Sequence, residues 1–116
     1  MRVLKALILI LVLLVGVSCS FAYDYREVRA EHILVKTKSQ ADELRVQIDE
    51  GKSFEELANN YSMCPSGRSG GDLGYFTRGQ MVPEFEEPAF NMAIGEISAP
   101  IHTQFGWHII KVLDKR

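Results

Sequence analysis

The segment that most restricts how this chain can fold is residues 64–81, CPSGRSGGDLGYFTRGQM, which holds five glycines in eighteen positions. Glycine has no side chain to limit its backbone, so a segment this rich in it is typical of sharp turns and close backbone approaches. We expect only one short strand within it, around residues 74–76. The segment therefore separates an earlier, mainly helical part of the chain from a later, mainly extended part.

The part before the glycine-rich segment predicts one strand and two helices. Residues 28–35, VRAEHILV, first alternate apolar and polar residues and then become apolar on both faces, which is typical of a strand central in its sheet. Ser39 and Ser53 each begin a capping-box pattern, so we expect a helix after each, with Gly51 ending the first. The second helix has apolar residues at helical spacing, namely Phe54, Leu57, Ala58 and Tyr61.

The part after the segment predicts one short helix and two strands. Pro83 suits the first turn of a helix that reaches about Asn91, although Pro88 is expected to distort or shorten it. Strands are predicted over residues 97–103 and 107–113, close enough to form a hairpin. The order of elements indicates an α+β domain, with a small antiparallel four-stranded sheet surrounded by helices.

The N-terminus has the layout of a secretory signal peptide. Arg2 and Lys5 precede an apolar run at residues 6–17, and Ser20-Phe21-Ala22 supplies the small residues of a cleavage site. We therefore expect a signal peptide at 1–22, a polar lead-in at 23–27 and one domain at 28–116, exported to the periplasm or cell envelope. Contact with a membrane is expected only in the two alternative cases, a retained apolar anchor or a lipid on Cys19.

Charge and cysteine content limit the function of the exported part. Residues 23–116 carry eleven lysines and arginines against fifteen aspartates and glutamates, a net charge of −4, and show no basic stripe. This balance argues against nucleic acid as a partner. Cys64 is the one cysteine after residue 22, so no disulfide is expected within the exported chain.

Two histidines are candidate site residues. In their predicted strands His32 and His108 both share a face with apolar neighbours, and buried polar groups of this kind are most often hydrogen-bonded parts of a core. With Cys64 they would make a Cys–His nucleophile pair of a hydrolase, or three ligands of a metal. No cysteine-protease signature and no recognisable metal-ligand spacing accompanies them, so both alternatives lack specific support.

Three blocks of the sequence resemble the parvulin family of peptidyl-prolyl cis-trans isomerases, most closely the minimal single-domain bacterial members. The blocks are EHILVK, CPSGRSGGDLGYFTRGQMVPEFEEPAF and GEISAPIHTQFGWHIIKV, and together they cover about residues 30–113. The resemblance implies the parvulin/FKBP-like fold and an isomerase that needs neither cofactor nor metal.

The resemblance also implies the residues of the site. His32, Cys64, Thr103 and His108 match the family's polar centre, where some members have aspartate in place of the cysteine. The pocket for the proline ring is matched by Leu73, Phe76, Met81 and Phe85. His102 has the opposite parity to Thr103 along the strand, so we expect its side chain to point away from the site.

The implied activity is rotation about Xaa-Pro bonds in exported, unfolded polypeptides. Members that read phosphoserine or phosphothreonine before proline carry an arginine-rich loop after the first strand. Here that segment is VKTKSQ, which has two lysines and no arginine, so we expect phosphate-independent activity. The alternative is a non-catalytic chaperone module that binds proline-containing unfolded segments with the same pocket.

Overall fold

The computed structural model describes residues 25–116, in which four antiparallel strands form one sheet in the order β2-β1-β4-β3. The strands are β1 (Glu27–Val35), β2 (Asp72–Thr77), β3 (Ile101–Thr103) and β4 (Gly106–Lys115). The helices are α1 (Lys38–Asp49), α2 (Phe54–Tyr61) and α3 (Pro83–Asn91), and a short 3₁₀ helix covers Pro65–Ser69. The predicted α+β class is confirmed, whereas the predicted signal peptide and Cys19 lie outside the described residues.

Strand β1 is buried on both faces, which explains why its second half is apolar on both parities. Ile33 and Val35 pack with Ile109 of β4 against α1 and α2. Val28 and Ala30 face the other way, into a second cluster that α3 covers with Phe85, Ala89 and Phe90. The histidine at position 32 belongs to this second face, because side chains alternate along a strand.

The two first helices differ from their predictions in detail. Helix α1 begins two residues earlier than the Ser39 pattern predicts, because Thr37 and not Ser39 is its N-cap, with its hydroxyl accepting from the Gln40 N–H at 3.2 Å. Ser53 caps α2 as predicted, since its hydroxyl accepts from the Glu56 N–H at 3.2 Å. The predicted apolar stripe of α2 is wrong at its last member, because Tyr61 is 48% exposed.

The later elements differ mainly in length. Helix α3 runs through Pro88 to Asn91 without being shortened there. The predicted strand over 97–103 is regular only at Ile101–Thr103, because Pro100 has no N–H to donate, and Ile97 makes one isolated bridge to Lys111. Strand β4 is longer than predicted and reaches Lys115, which pairs with Val28 of β1. Within residues 25–116 no helix has the length and apolar character that a membrane crossing requires.

Candidate active site

The two buried histidines meet between the central strands. Pairing of β1 with β4 sets Leu34 opposite His108, which brings His108 beside His32 on the same face. Their Nδ1 atoms are 3.0 Å apart and their rings stack at a centroid distance of 5.2 Å. Nε2 of His108 lies 2.7 Å from the hydroxyl oxygen of Thr103, which also accepts from the Phe105 N–H at 3.1 Å. Thr103, His108 and His32 therefore form one hydrogen-bonded chain.

This chain is uncharged at neutral pH. Burial lowers the pKa of His108 to about 4, and burial together with the neighbouring His108 lowers the pKa of His32 to about 4. A hydrogen bond between two Nδ1 atoms needs one ring to donate and the other to accept, which two neutral tautomers supply. Nε2 of His32 is buried and has no hydrogen-bond partner among the described residues.

A cavity of about 450 Å³ opens beside the histidine pair. Apart from the two histidines, Cys64 and Gln80, its walls are apolar, and none of the side chains that line it is a lysine or an arginine. The lining residues are His32, Leu34, Met63, Cys64, Pro65, Leu73, Gln80, Met81, Val82, Phe85, Phe105 and His108. The described residues thus form an apolar pocket with a neutral polar floor.

Six of the eight predicted site residues line this cavity, and the other two are buried behind residues of its wall. Phe76 is 3% exposed and packs against Phe85 with ring centroids 5.9 Å apart, so it supports the wall of the cavity without being part of it. Thr103 is likewise buried behind His108. His102 is exposed and stacks on Trp107 at 4.7 Å, away from the cavity, as its parity predicts.

Phe85 connects the polar and apolar parts of the site. It is 3% exposed, and its ring meets His32 and His108 edge to face at centroid distances of 5.6 and 5.4 Å. Edge-to-face packing is a preferred arrangement of aromatic rings, and each such pair contributes about 0.5–1.5 kcal/mol beyond the burial of its area. The ring therefore holds both histidines in place and forms part of the cavity wall at the same time.

The sequence reasoning missed half of the cavity wall, namely Leu34, Met63, Pro65, Gln80, Val82 and Phe105. Leu34 had a usable signal, because it shares the face of His32 on β1. Phe105 also had one, since it is a large apolar residue between the two strands predicted to form a hairpin; in the structure it is 58% exposed. Of the others, Pro65 begins the 3₁₀ helix and Met63, Gln80 and Val82 lie in loops, so no regular helix or strand period indicates the direction of their side chains.

The glycine-rich segment is held against β1 at the site. Gly71 adopts φ +88°, its carbonyl oxygen accepts from the His32 N–H at 3.0 Å, and a Cβ at this position would lie 2.4 Å from the His32 carbonyl oxygen. Only glycine tolerates both the backbone angle and the close approach. Cys64 is the first residue of the same segment, and its half-buried free thiol lines the cavity. Across residues 25–116 no three histidine, cysteine or acidic side chains cluster closely enough to hold a metal ion.

Comparison with known proteins gives a consistent result. The profile of the PPIC-type PPIASE domain family matches residues 18–116. The foldase protein PrsA of Geobacillus kaustophilus is 50% identical over 90 residues, which cover 77% of this chain and 32% of that protein. PrsA 1 of Bacillus cereus is 52% identical over 89 residues, covering 76% of this chain and 31% of that protein. The chain therefore spans about a third of the length of these curated relatives.

The solved structures that superpose on this chain point to the same family. The peptidylprolyl isomerase PrsA of Bacillus anthracis superposes with a TM-score of 0.78 at 46% identity, over 79% of this chain and 43% of that one. NmPin, the parvulin of Nitrosopumilus maritimus, superposes with a TM-score of 0.71 at 39% identity, over 79% of this chain and 100% of that one. The whole of that solved chain is thus covered by the match.

Proposed function

This chain belongs to the PPIC-type family of parvulin peptidyl-prolyl cis-trans isomerases, and we propose on that premise that it accelerates rotation about Xaa-Pro bonds in unfolded, exported polypeptides. The observation that carries the proposal is the apolar cavity, which is closed at its floor by a neutral histidine pair and bordered by Cys64. The activity requires no cofactor, because rotation makes and breaks no covalent bond.

The barrier explains why this pocket is suitable. Twisting a peptide bond costs about 18–20 kcal/mol because amide resonance is lost at the perpendicular geometry. A catalyst must therefore bind the twisted amide more tightly than either planar form. Leu73, Met81 and Phe85 hold the proline ring while the preceding carbonyl turns. A water-poor pocket also disfavours the charge-separated planar resonance form that water stabilises.

We propose that the hydrogen-bonded histidine chain and Cys64 have different roles in the site. The chain Thr103–His108–His32 is buried and neutral, so it holds the floor of the cavity rigid and does not supply a cation. Cys64 is the half-buried polar group beside the rotating carbonyl. Since no lysine or arginine lines the cavity, a phosphate next to proline gains no bidentate partner there.

Isomerisation of a short proline peptide, followed by exchange spectroscopy with purified protein, tests this function. We expect acceleration by the wild type, no large advantage for a phosphorylated peptide, and a loss of roughly tenfold in kcat/KM for Met81→Ala, because its contacts favour the twisted state. Ile48→Ala is the matched control, since Ile48 is also half-buried and apolar but packs on the opposite face of the sheet. Phe85→Ala is a poorer probe, because truncating a buried phenylalanine costs about 3–5 kcal/mol of stability.

The same experiment separates isomerase from simple binder. A wild type that binds the proline peptide without accelerating exchange would leave the non-catalytic chaperone module as the function of this cavity. Equal rates for Met81→Ala and Ile48→Ala would instead show that the pocket is assigned to the wrong residues. A strong preference for the phosphorylated peptide would contradict the phosphate-independent activity.

We also propose that the chain is exported and that residues 1–22 are removed, so that Tyr23 becomes the mature N-terminus. The support is the basic start, the short apolar run and the small residues Ser20 and Ala22. Intact mass spectrometry of protein exported by a bacterial host measures the product directly. A full-length chain, or a chain with a lipid on Cys19, would contradict the proposed cleavage.

A further inference from the structure

One half of β1 lacks a neighbouring strand on the side of β2. Strand β2 pairs only with residues from Glu27 to Glu31, so the N–H groups of His32 and Leu34 point past its end. The N–H of His32 donates to the carbonyl oxygen of Gly71 at 3.0 Å, and the N–H of Leu34 donates to the hydroxyl oxygen of Ser62 at 3.1 Å. Ser62, just before the glycine-rich segment, and Gly71, within it, thus take the place of a neighbouring strand.

Ser62 makes more than one of these links. Its hydroxyl oxygen also accepts from the N–H of Cys64 at 3.3 Å, and the N–H of the intervening Met63 donates to the carbonyl oxygen of Leu34 at 2.7 Å. The glycine at position 67 packs closely over it, because a Cβ there would come within 3.2 Å of the Ser62 Cβ. One short side chain therefore ties the backbone of Cys64 to the edge of β1.

We infer that Ser62 is a positioning residue that holds Cys64 at the cavity by bridging its backbone to Leu34. On the C-terminal side of Cys64, the 3₁₀ helix and the bond from His32 to Gly71 hold the chain, and Ser62 supplies the corresponding anchor on the N-terminal side. A hydroxyl oxygen has two lone pairs and accepts both N–H groups at once, which alanine cannot do. This inference rests on the proposed function, because the position of Cys64 matters for rotation only if the cavity is the active site.

The other end of helix α2 provides a matched control. Ser53 also uses its hydroxyl to accept a backbone N–H, that of Glu56, and it lies at the N-terminus of the same helix, outside the cavity. Ser53→Ala and Ser62→Ala each remove one hydroxyl from one end of α2. Ser62 is the residue that ends α2 at its C-terminus. If that is its only role, the two variants should have the same isomerisation rate and the same reactivity of Cys64, and should differ only in how much stability they lose.

The experiment compares wild type, Ser53→Ala and Ser62→Ala in three measurements: peptide isomerisation, alkylation of Cys64 by iodoacetamide located by mass spectrometry, and amide hydrogen exchange at Leu34. We expect Ser62→Ala alone to lose kcat/KM by roughly tenfold, since misplacing a group at a site by an ångström has effects of this order or larger. The same variant should show altered alkylation of Cys64 and faster exchange at Leu34, while Ser53→Ala matches the wild type in all three.

Equal alkylation of Cys64 in the three proteins, or equal kcat/KM for the two variants, would overturn the inference. If Ser62→Ala does not fold, exchange in the wild type decides, because a Leu34 amide that exchanges as fast as an exposed turn amide would contradict the bridge. Absence of isomerisation in the wild type would refute the proposed function instead, and alkylation and exchange would still report on the anchor.

Discussion

Under the proposed function, we expect Cys64 to act in the cavity as a polar group and not as an attacking nucleophile. Rotation about the peptide bond requires no new bond, and in the proposed function the apolar wall binds the twisted amide more tightly than the planar one. The cation that would activate a thiolate is missing from the cavity wall, where the neighbouring histidines are neutral. We therefore expect the thiol to act through its polarity and its size, which other small polar side chains share.

The isomerisation rates of Cys64 variants should depend on whether the new side chain is polar. We expect Cys64→Ser and Cys64→Asp to keep a measurable fraction of the isomerisation rate and Cys64→Ala to lose more, because only the first two leave a polar group beside the carbonyl. Peptide exchange rates on variants with unchanged circular dichroism measure this order. Three equally inactive folded variants, or a trapped covalent adduct on the wild-type thiol, would require a nucleophile after all.

At the scale of elements, the glycine-rich segment acts as a clamp on β1. Ser62 and Met63, the two residues just before the segment, are hydrogen-bonded to β1, and so is Gly71 in the middle of the segment. Gly74 lies further along, where β2 has an irregularity against β1, and its φ is +69°. The two glycines share a left-handed backbone but differ in their surroundings, since a Cβ at Gly74 meets nothing within 4 Å.

Alanine substitutions at these two glycines should therefore have different effects. Gly74→Ala should cost roughly 1–2 kcal/mol, which is the cost of a left-handed backbone for a residue with a Cβ. Gly71→Ala adds a collision with the His32 carbonyl oxygen and should destabilise considerably more, and it should also reduce isomerisation by shifting His32. Urea unfolding of both variants measures the difference, and equal destabilisation would show that the loop adjusts freely.

For the molecule as a whole, buried titratable groups on the two faces of the sheet have opposite effects on how the stability of the fold changes with pH. The histidine pair has pKa values of about 4, below the ordinary 6.5, so its contribution to stability is lost as the pH falls from about 6.5 to about 4. Burial, and then the charge of Glu55, raises the pKa of Glu31 on the opposite face from 4.5 to about 7. Its contribution is lost as the pH rises through that range, so the two trends partly cancel.

Glu31→Gln should reveal this cancellation. The groups that face Glu31 are Glu55 from α2, Lys111 from β4 and Asp72 from β2. Removing the ionisable group should stabilise the protein by roughly 1–2 kcal/mol at pH 8 and very little at pH 4.5, which steepens the loss of stability toward acid. Urea unfolding from pH 4 to 8 measures it, with the exposed Glu43→Gln as control. A uniform shift at all pH values would contradict the raised pKa.

The local parts of the fold follow from the sequence because their causes are local. The alternation in β1, the cap at Ser53 and the proline at the start of α3 each act within a few residues, and all three elements form where they are predicted. The wrong details have causes that the patterns do not contain. Thr37 competes with Ser39 for the cap of α1, and the length of β4 depends on the strand beside it.

The sequence by itself determined the α+β class, the order of the elements and, through resemblance to a family, six of the twelve residues that line the cavity. Only the tertiary structure decided how those residues meet. The Nδ1 contact between His32 and His108 joins positions 76 residues apart and depends on the register of β1 against β4. The place of Cys64 depends on a loop docked on an open strand edge. Distant contacts of this kind are set by packing and pairing across the whole chain, so no local pattern encodes them.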